Sequence, residues 1–393
     1  MSVFGVSLAA AACRRPPENA ARDAAPSPPA EGSALTAGTS TPVPVALHPA
    51  ARCGECHGAI TKEWRGSAHA RADTSLAYAA MQKATSAAAC ERCHAPLLRF
   101  AEVGSLASKD AVACDVCHTL REPERPSSFT MHLEDIVKYG PLCDAKSNYF
   151  HKMGCSPFHG TSDACAGCHS LRWTTPKGDL LTVQSEFEEW RASNYAVERV
   201  ECQNCHMPGA LAAVAVGSSP RSSVGSHAFD LASLRSGAVA LRMNVRRSGQ
   251  NVAVVVNVKN ERAGHDVPTG VPERRLVLRV EVRDATGTAS AKAARWYGRF
   301  LVDDRGPAPF YEATRVESDT RIHANESRDE SFTLAAPRRG EVVAALVFVD
   351  VAPGIALRLG VTPKETTVLE IASPFGGRSS AGRPQDLSHP AEP

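Results

Sequence analysis

Val112-Ala113-Cys114-Asp115-Val116-Cys117-His118 contains the pentapeptide on which the reading of this chain turns. The same C-x-x-C-H pattern recurs as Cys53/Cys56/His57, Cys90/Cys93/His94, Cys165/Cys168/His169 and Cys202/Cys205/His206, so ten of the 13 cysteines fall in five copies. Chance would supply on the order of a hundredth of one such copy. Two thiols two residues apart can add to the two vinyl groups of one porphyrin, and the histidine that follows can bind its iron. Structural zinc is the poorer account, because zinc takes four protein ligands, whereas each thiol pair here carries its own adjacent histidine. The pattern therefore predicts five covalent c-type haems, with His57, His94, His118, His169 and His206 as proximal ligands.

The five motifs lie within residues 53 to 206, about 31 residues for each, with few long apolar runs between them. Such a stretch predicts short helices and loops wrapped on porphyrin faces, with the porphyrins serving as the core and helical pieces carrying the attachment histidines. The second axial position decides what each iron can do. A second histidine closes the iron for electron transfer, while an open position can bind and reduce a small substrate. Nine histidines lie outside the motifs: His48, His69, His132, His151, His159, His227, His265, His323 and His389. His323, in an expected turn, and His389, near the C-terminus, read as ordinary surface side chains.

After about residue 236 the cysteines stop and the pattern changes to period two. Leu241, Met243 and Val245 alternate with polar residues, as do Val252 to Val258 and Leu276 to Val282. Further strands are expected at Trp296 to Val302, Ser331 to Leu334, Val342 to Val349 and Thr367 to Ile371. Turn signals separate them at Ser248-Gly249, Asp284-Ala285-Thr286-Gly287 and Pro353-Gly354. The chain is thus read as an α+β, two-domain protein: a mainly helical and loop pentahaem domain over 46–235 and an immunoglobulin-like β-sandwich over 236–373. Residues 374–393, rich in Pro, Gly and Ser, read as a disordered tail.

Residues 1–45 read as an export signal followed by a Pro- and Ala-rich tether. Ala10-Ala11-Ala12-Cys13 loosely resembles a lipoprotein processing site, which makes Cys13 a candidate lipid anchor; no segment has the length and apolarity of a transmembrane helix. Haem attachment of this kind is completed outside the cytoplasm, so a periplasmic or cell-surface location is expected, and there Cys143 and Cys155 can pair as a disulfide. Lys and Arg total 44 against 42 for Asp and Glu, which gives no electrostatic reason to expect nucleic acid as a partner. One internal echo stands out: Glu63-Trp64-Arg65-Gly66-Ser67-Ala68-His69-Ala70 against Glu189-Trp190-Arg191-Ala192-Ser193-Asn194-Tyr195-Ala196.

Cys53-Gly54-Glu55-Cys56-His57 followed by Trp64 and Ser67-Ala68-His69-Ala70 resembles bacterial multihaem cytochromes related to the tetrahaem cytochrome that serves hydroxylamine oxidation. Val112 to His118, Tyr139-Gly140-Pro141, the histidine 14 positions before Cys165, and Cys202 to Pro208 resemble the same group. Ala263-Gly264-His265-Asp266-Val267-Pro268-Thr269-Gly270, Glu273-Arg274-Arg275 and Asp319 to Ile322 are similar to the β-domain often fused to such proteins. The resemblance implies that His69, His151, His227 and His265 are distal ligands. His132 is the expected fifth, with His159 and His48 as alternatives. If His265 binds iron, the first hairpin of the β-domain caps a haem, with Gly264 and Gly270 allowing the tight loop; the alternative is that His265 only closes a β-turn.

Three functions are compatible with these residues. The leading one is an electron carrier between redox partner proteins. The second is a pentahaem reductase of a small nitrogen or sulfur compound with one open haem, against which stands the lack of a C-x-x-C-K variant. In the third, the β-domain docks or assembles the cytochrome.

Overall fold

The computed structural model describes residues 47–85, 87–99, 110–122, 130–131 and 136–376. Cys13 and the tether, His132, His389 and the tail beyond 376 lie outside the described residues.

From residue 239 onward the period-two pattern becomes seven main strands. These are β1 (Val239–Ser248), β2 (Asn251–Asn260), β3 (Arg275–Asp284), β4 (Ala289–Tyr297), β5 (Ser327–Ala335), β6 (Gly340–Val349) and β7 (Glu365–Phe375). They form a three-stranded sheet in the order β5-β2-β1 and a four-stranded sheet in the order β4-β3-β6-β7, antiparallel throughout. Val252, Val254, Val256 and Val258 of β2 meet Leu276, Leu278, Val280 and Val282 of β3 in one buried cluster, closed by Phe332, Val342, Ala344 and Leu346. Each such side chain contributes about 1.5–3 kcal/mol on leaving water, so the alternation fixes which face of each strand turns inward. The outer face of β3 is covered as well, Val277 packing with Val347 and Val349.

Three local expectations change. The run Trp296 to Val302 is two strands, because Gly298 separates β4 from Arg299–Asp303, which pairs instead with Gly306–Pro307 and Arg315–Asp319. A Cβ at Gly298 would stand 2.7 Å from the Arg275 side chain, so the chain turns where only glycine fits. Pro353-Gly354 opens the helix Pro353–Leu359 rather than a turn, proline supplying a fixed φ in a first turn where its missing N–H costs nothing; Gly360, at φ +66°, ends it. The tail expected from 374 does not begin there, since Pro374 and Phe375 extend β7 and Phe375 is buried.

The chain divides into two compact units that are not contiguous in sequence. One comprises the described residues up to Arg71 together with those of His94–Ala164 and Val200–Phe229. The other joins Ala72–Cys93 and Cys165–Arg199 to the described residues from Asp230 on. Two stretches that the sequence assigns to the haem segment thus fold with the strands. The cause is apolar contact: Met81, Leu181 and Val183 share a cluster with Leu301, Ala308, Phe310 and Ala313. The first unit is short helices, small two-stranded ribbons and loops, with Leu97, Ala113 and Val116 forming an apolar cluster among the described residues.

Candidate haem and iron centres

The attachment motifs sit on or beside short helices. His94 and His118 end the helices Ala87–His94 and Cys114–His118, and His206 ends Cys202–His206. His57 instead caps the N-terminus of Gly58–Gly66, and His169 follows Asp163–Ala166, so for these two the expected helical placement is not met. The Cys53 thiol is in hydrogen-bonding contact with Cys114, and Cys93 with Cys168, so thiols of the first and third motifs lie together, as do those of the second and fourth.

Cys205 departs from the expectation that every motif cysteine carries a thiol for a haem vinyl group. Its sulfur is in a disulfide, which the other nine motif sulfurs are not. A sulfur holds one such bond, so at Cys205 the disulfide and the thioether are alternatives.

Within the first unit the fold brings spare histidines to motif histidines. His151 faces His57 with ring centres 6.2 Å apart and planes 27° from parallel; His227 faces His118 at 6.2 Å and 21°. Two imidazoles bound to one iron from opposite sides, each about 2 Å from it through nitrogen, have ring centres about 6 Å apart. The donor set and its spacing therefore fit haem iron. The ring tautomers fit as well: Nδ1 of His57 lies 2.6 Å from the Val214 carbonyl, that of His118 2.8 Å from Tyr139, and that of His227 2.9 Å from Gly225. A carbonyl at Nδ1 leaves Nε2 with its lone pair available for a metal. Burial, together with the His227 and His159 rings, lowers His118 to about 4, although the Tyr139 carbonyl opposes this, so the ring is neutral at neutral pH as an iron ligand must be.

His159 also lies 6.2 Å from His118, but its Nε2 bonds the Cys117 carbonyl at 3.0 Å while its Nδ1 is buried without a partner. His151 and His159 thus face different motif histidines rather than competing for one. His48 offers its backbone N–H to Asp115 at 3.2 Å. His69 packs edge-on against Phe229 at 4.4 Å.

In the second unit, His169 Nδ1 stands 3.6 Å from the Glu186 carboxylate. Burial works to raise Glu186, and the His169 ring brings it below the usual carboxylate range. His265 sits in the loop after β2, its Nδ1 3.0 Å from the Asp266 carbonyl and its own carbonyl accepting from Asn260 at 2.8 Å. Gly270 has the left-handed φ of +90° expected of the loop, whereas Gly264 is required for space: a Cβ there would stand 3.0 Å from the Tyr195 ring. Glu189 holds this loop, accepting from Ser185, Arg321, Thr269 and the Asp266 N–H, and Arg321 also pairs with Asp266 and Asp319. Sequence reading missed Glu189 and Arg321 in this role, although both lie in quoted motifs, because nothing local signals a contact 132 residues apart. Glu273-Arg274-Arg275 is structural. Glu273 accepts from the Phe310 N–H at 2.8 Å, Arg274 from beneath Gly270 reaches the Thr269 carbonyl, and Arg275 lies over Phe300.

Cys143 and Cys155 form a disulfide around the loop that carries His151. Among the described residues, no helix is long and apolar enough to cross a membrane.

Residues 52–119, which hold three of the motifs, match the family model of cytochrome c554 and c-prime. A penta-haem cytochrome c552 from Thermochromatium tepidum is similar over its whole length to 85% of this chain, at 21% identity and a TM-score of 0.68, which shows a shared fold. A putative β-galactosidase from Bacteroides fragilis aligns with 36% of this chain and 16% of its own, at 15% identity and a TM-score of 0.18. A β-glucuronidase of glycoside hydrolase family 2 aligns with 35% of this chain and 11% of its own, at 11% identity and the same score of 0.18; neither bears on function. A search of curated proteins found no match.

Proposed function

We propose that this chain is a multihaem c-type cytochrome that carries electrons between redox partner proteins through five covalent haems, one per C-x-x-C-H motif. The observation that carries the reading is the pairing of His57 with His151 and of His118 with His227 across 6.2 Å, each motif ring being held at Nδ1 by a backbone carbonyl. Bound haem supplies an iron that takes up and gives back one electron at a time. The chain's own residues do the rest. The cysteines anchor, the motif histidines bind from one side, and His151 and His227 close the other, which suits a carrier. His227 is preferred to His159 opposite His118: a bond to the Cys117 carbonyl, on the same helix as His118, keeps His159 on the attachment side. His69, His265 and His132 complete the proposed distal set. At the fifth motif the proposal takes Cys205 as a reduced thiol when haem is attached, the thioether then standing in place of the disulfide.

Several features agree with this reading. The adjacent thiols of motifs one and three, and of two and four, favour closely spaced haems. The penta-haem neighbour favours a count of five. The sheet orders β5-β2-β1 and β4-β3-β6-β7 favour an immunoglobulin-like β-domain. The Cys143–Cys155 disulfide favours a periplasmic or cell-surface location, with Cys13 as a lipid anchor at the membrane.

The test is spectroscopic. The purified protein should contain five haems per chain by pyridine haemochrome assay, all low-spin and inert to carbon monoxide. A high-spin fraction that binds carbon monoxide would overturn the carrier in favour of a reductase with an open iron. Peptide mass mapping should find haem on both Cys202 and Cys205; a disulfide-linked Cys205 in the mature protein would refute the attachment assigned to that sulfur.

A further inference from the structure

The echo at 63–70 and 189–196 proves to be more than a likeness of sequence. In the first copy, the Glu63 carboxylate accepts from the backbone N–H of His227 at 2.8 Å and from Ser226 Oγ at 3.3 Å. In the second, Glu189 accepts from the backbone N–H of Asp266, the residue after His265, at 3.1 Å, and from Thr269 Oγ1 at 3.4 Å. The seventh position repeats the correspondence. The His69 ring packs edge-on against Phe229, two residues past His227, and the Tyr195 ring packs against Gly264, one residue before His265. In each copy the serine accepts from a backbone N–H that follows it, Ser67 Oγ from Ala70 at 3.3 Å and Ser193 Oγ from Tyr195 at 3.2 Å. Both seated histidines, moreover, have Nδ1 against a nearby carbonyl, His227 at Gly225 and His265 at Asp266.

We propose that the two Glu-Trp-Arg-x-Ser copies are ligand-seating modules: in each, the glutamate clamps the backbone beside a distal histidine and the seventh-position ring packs on that histidine's neighbour. Glu63 seats His227 and Glu189 seats His265. The inference rests on these two histidines being axial ligands. It gives two segments far apart in sequence one shared task, and the ring at position seven packs on the seat in both copies. A carboxylate suits the task because a charge-assisted bond to an N–H is about twice as strong as a neutral one and holds the backbone without using the imidazole. Glu63 faces solvent and Glu189 is nearly buried, so the second clamp is the tighter.

Four variants of the full, haem-loaded protein test this. His227→Ala and His265→Ala should each convert one haem to a high-spin form that binds carbon monoxide. Glu63→Gln and Glu189→Gln should keep the haem content and leave the oxidised protein low-spin. Each should nonetheless raise, about tenfold, the rate at which cyanide displaces the histidine it seats, with the larger rise for Glu189. Amide exchange read by mass spectrometry should speed up at His227 in the first Gln variant and at Asp266 in the second. If the alanine variants change the spectra and the Gln variants alter neither cyanide rate nor exchange, the seating role is wrong while the ligand assignment stands. If the alanine variants leave all haems low-spin, the ligand assignment fails first. Should Glu189→Gln fold poorly through loss of its Arg321 pairing, Glu189→Asp decides: a shorter carboxylate that keeps the charge should retain the fold and still loosen the seat, and a cyanide rate equal to that of the parent overturns the proposal.

Discussion

Glu186 shows how much a single side chain can do beside a proposed iron ligand. Its carboxylate lies 3.6 Å from His169 Nδ1, and an anion there makes the ring a stronger donor and favours the oxidised metal. Glu186→Gln should raise the midpoint potential of one haem by on the order of tens of mV, one decade in equilibrium being about 59 mV for one electron; potentiometric titration of variant and parent reads the shift. Asp319 is a second case. Burial pushes its carboxyl up, but the guanidiniums of Arg321 and Arg299 outweigh this and bring it to about 2. A carboxyl depressed in the folded state adds stability that is present above its unfolded value near 4 and lost as pH falls toward 2. Because Asp319 is partly exposed, the loss should be about 1–2 kcal/mol. Thermal unfolding followed from pH 5 to 2 should fall more steeply in the parent than in Asp319→Asn.

At the scale of elements, the ribbon of Val137–Gly140 paired in parallel with Lys152–Cys155 carries parts of two proposed centres. The Tyr139 carbonyl holds His118, while His151, just before the second strand, faces His57. Gly154 lets the strands meet, since a Cβ there would run into the Tyr139 ring. The Cys143–Cys155 disulfide closes the intervening loop, and Asn148 Oδ1 accepts from the N–H groups of Phe150 and His151 at its tip. A crosslink over a loop of this length contributes about 2–4 kcal/mol, chiefly by restricting the unfolded chain. Cleaving it in the mature protein with a phosphine, alkylating both thiols and then reducing the haems with dithionite should therefore expose one ferrous haem to carbon monoxide. Spectra that stay fully low-spin would show that the loop holds His151 without the disulfide. The strands β1 to β7 were legible because one residue in two had to leave water. The split at Gly298 was not, because Arg299–Asp303 leaves the sheet of β4 to pair with Arg315–Asp319, a partner that alternation does not name.

Over the whole molecule, the change of pattern near residue 236 marks where strands begin but not where a folding unit ends. Met81, Leu181 and Val183 pack with Leu301 and Phe310, and Glu189 bonds to Arg321 and the 266–269 loop. A chain truncated after residue 235 should leave that apolar surface bare and Glu189 without its partners. It should also lose haem from the motifs at Cys90 and Cys165, whose segments fold with the strands. Haem stoichiometry and peptide mapping of the truncated protein check this; five haems retained would mean that 72–93 and 165–199 fold without the strands.

The five attachment motifs needed nothing beyond the sequence to be found. Haem attachment uses residues adjacent along the chain, so the chemistry of C-x-x-C-H is complete within five positions, and strand alternation is likewise a local consequence of burying one face. The distal side is different. His151 lies 94 residues from His57, and His227 109 from His118, so the identity of each partner depends on how the intervening chain returns. The same holds for Glu63 and Glu189, whose shared motif is visible in the sequence but whose partners, His227 and the His265 loop, are brought to them only by packing over long separations. Composition and spacing determine where a haem can be attached. The tertiary fold decides what stands opposite, because opposition across a metal is a relation in space that the order of residues does not encode.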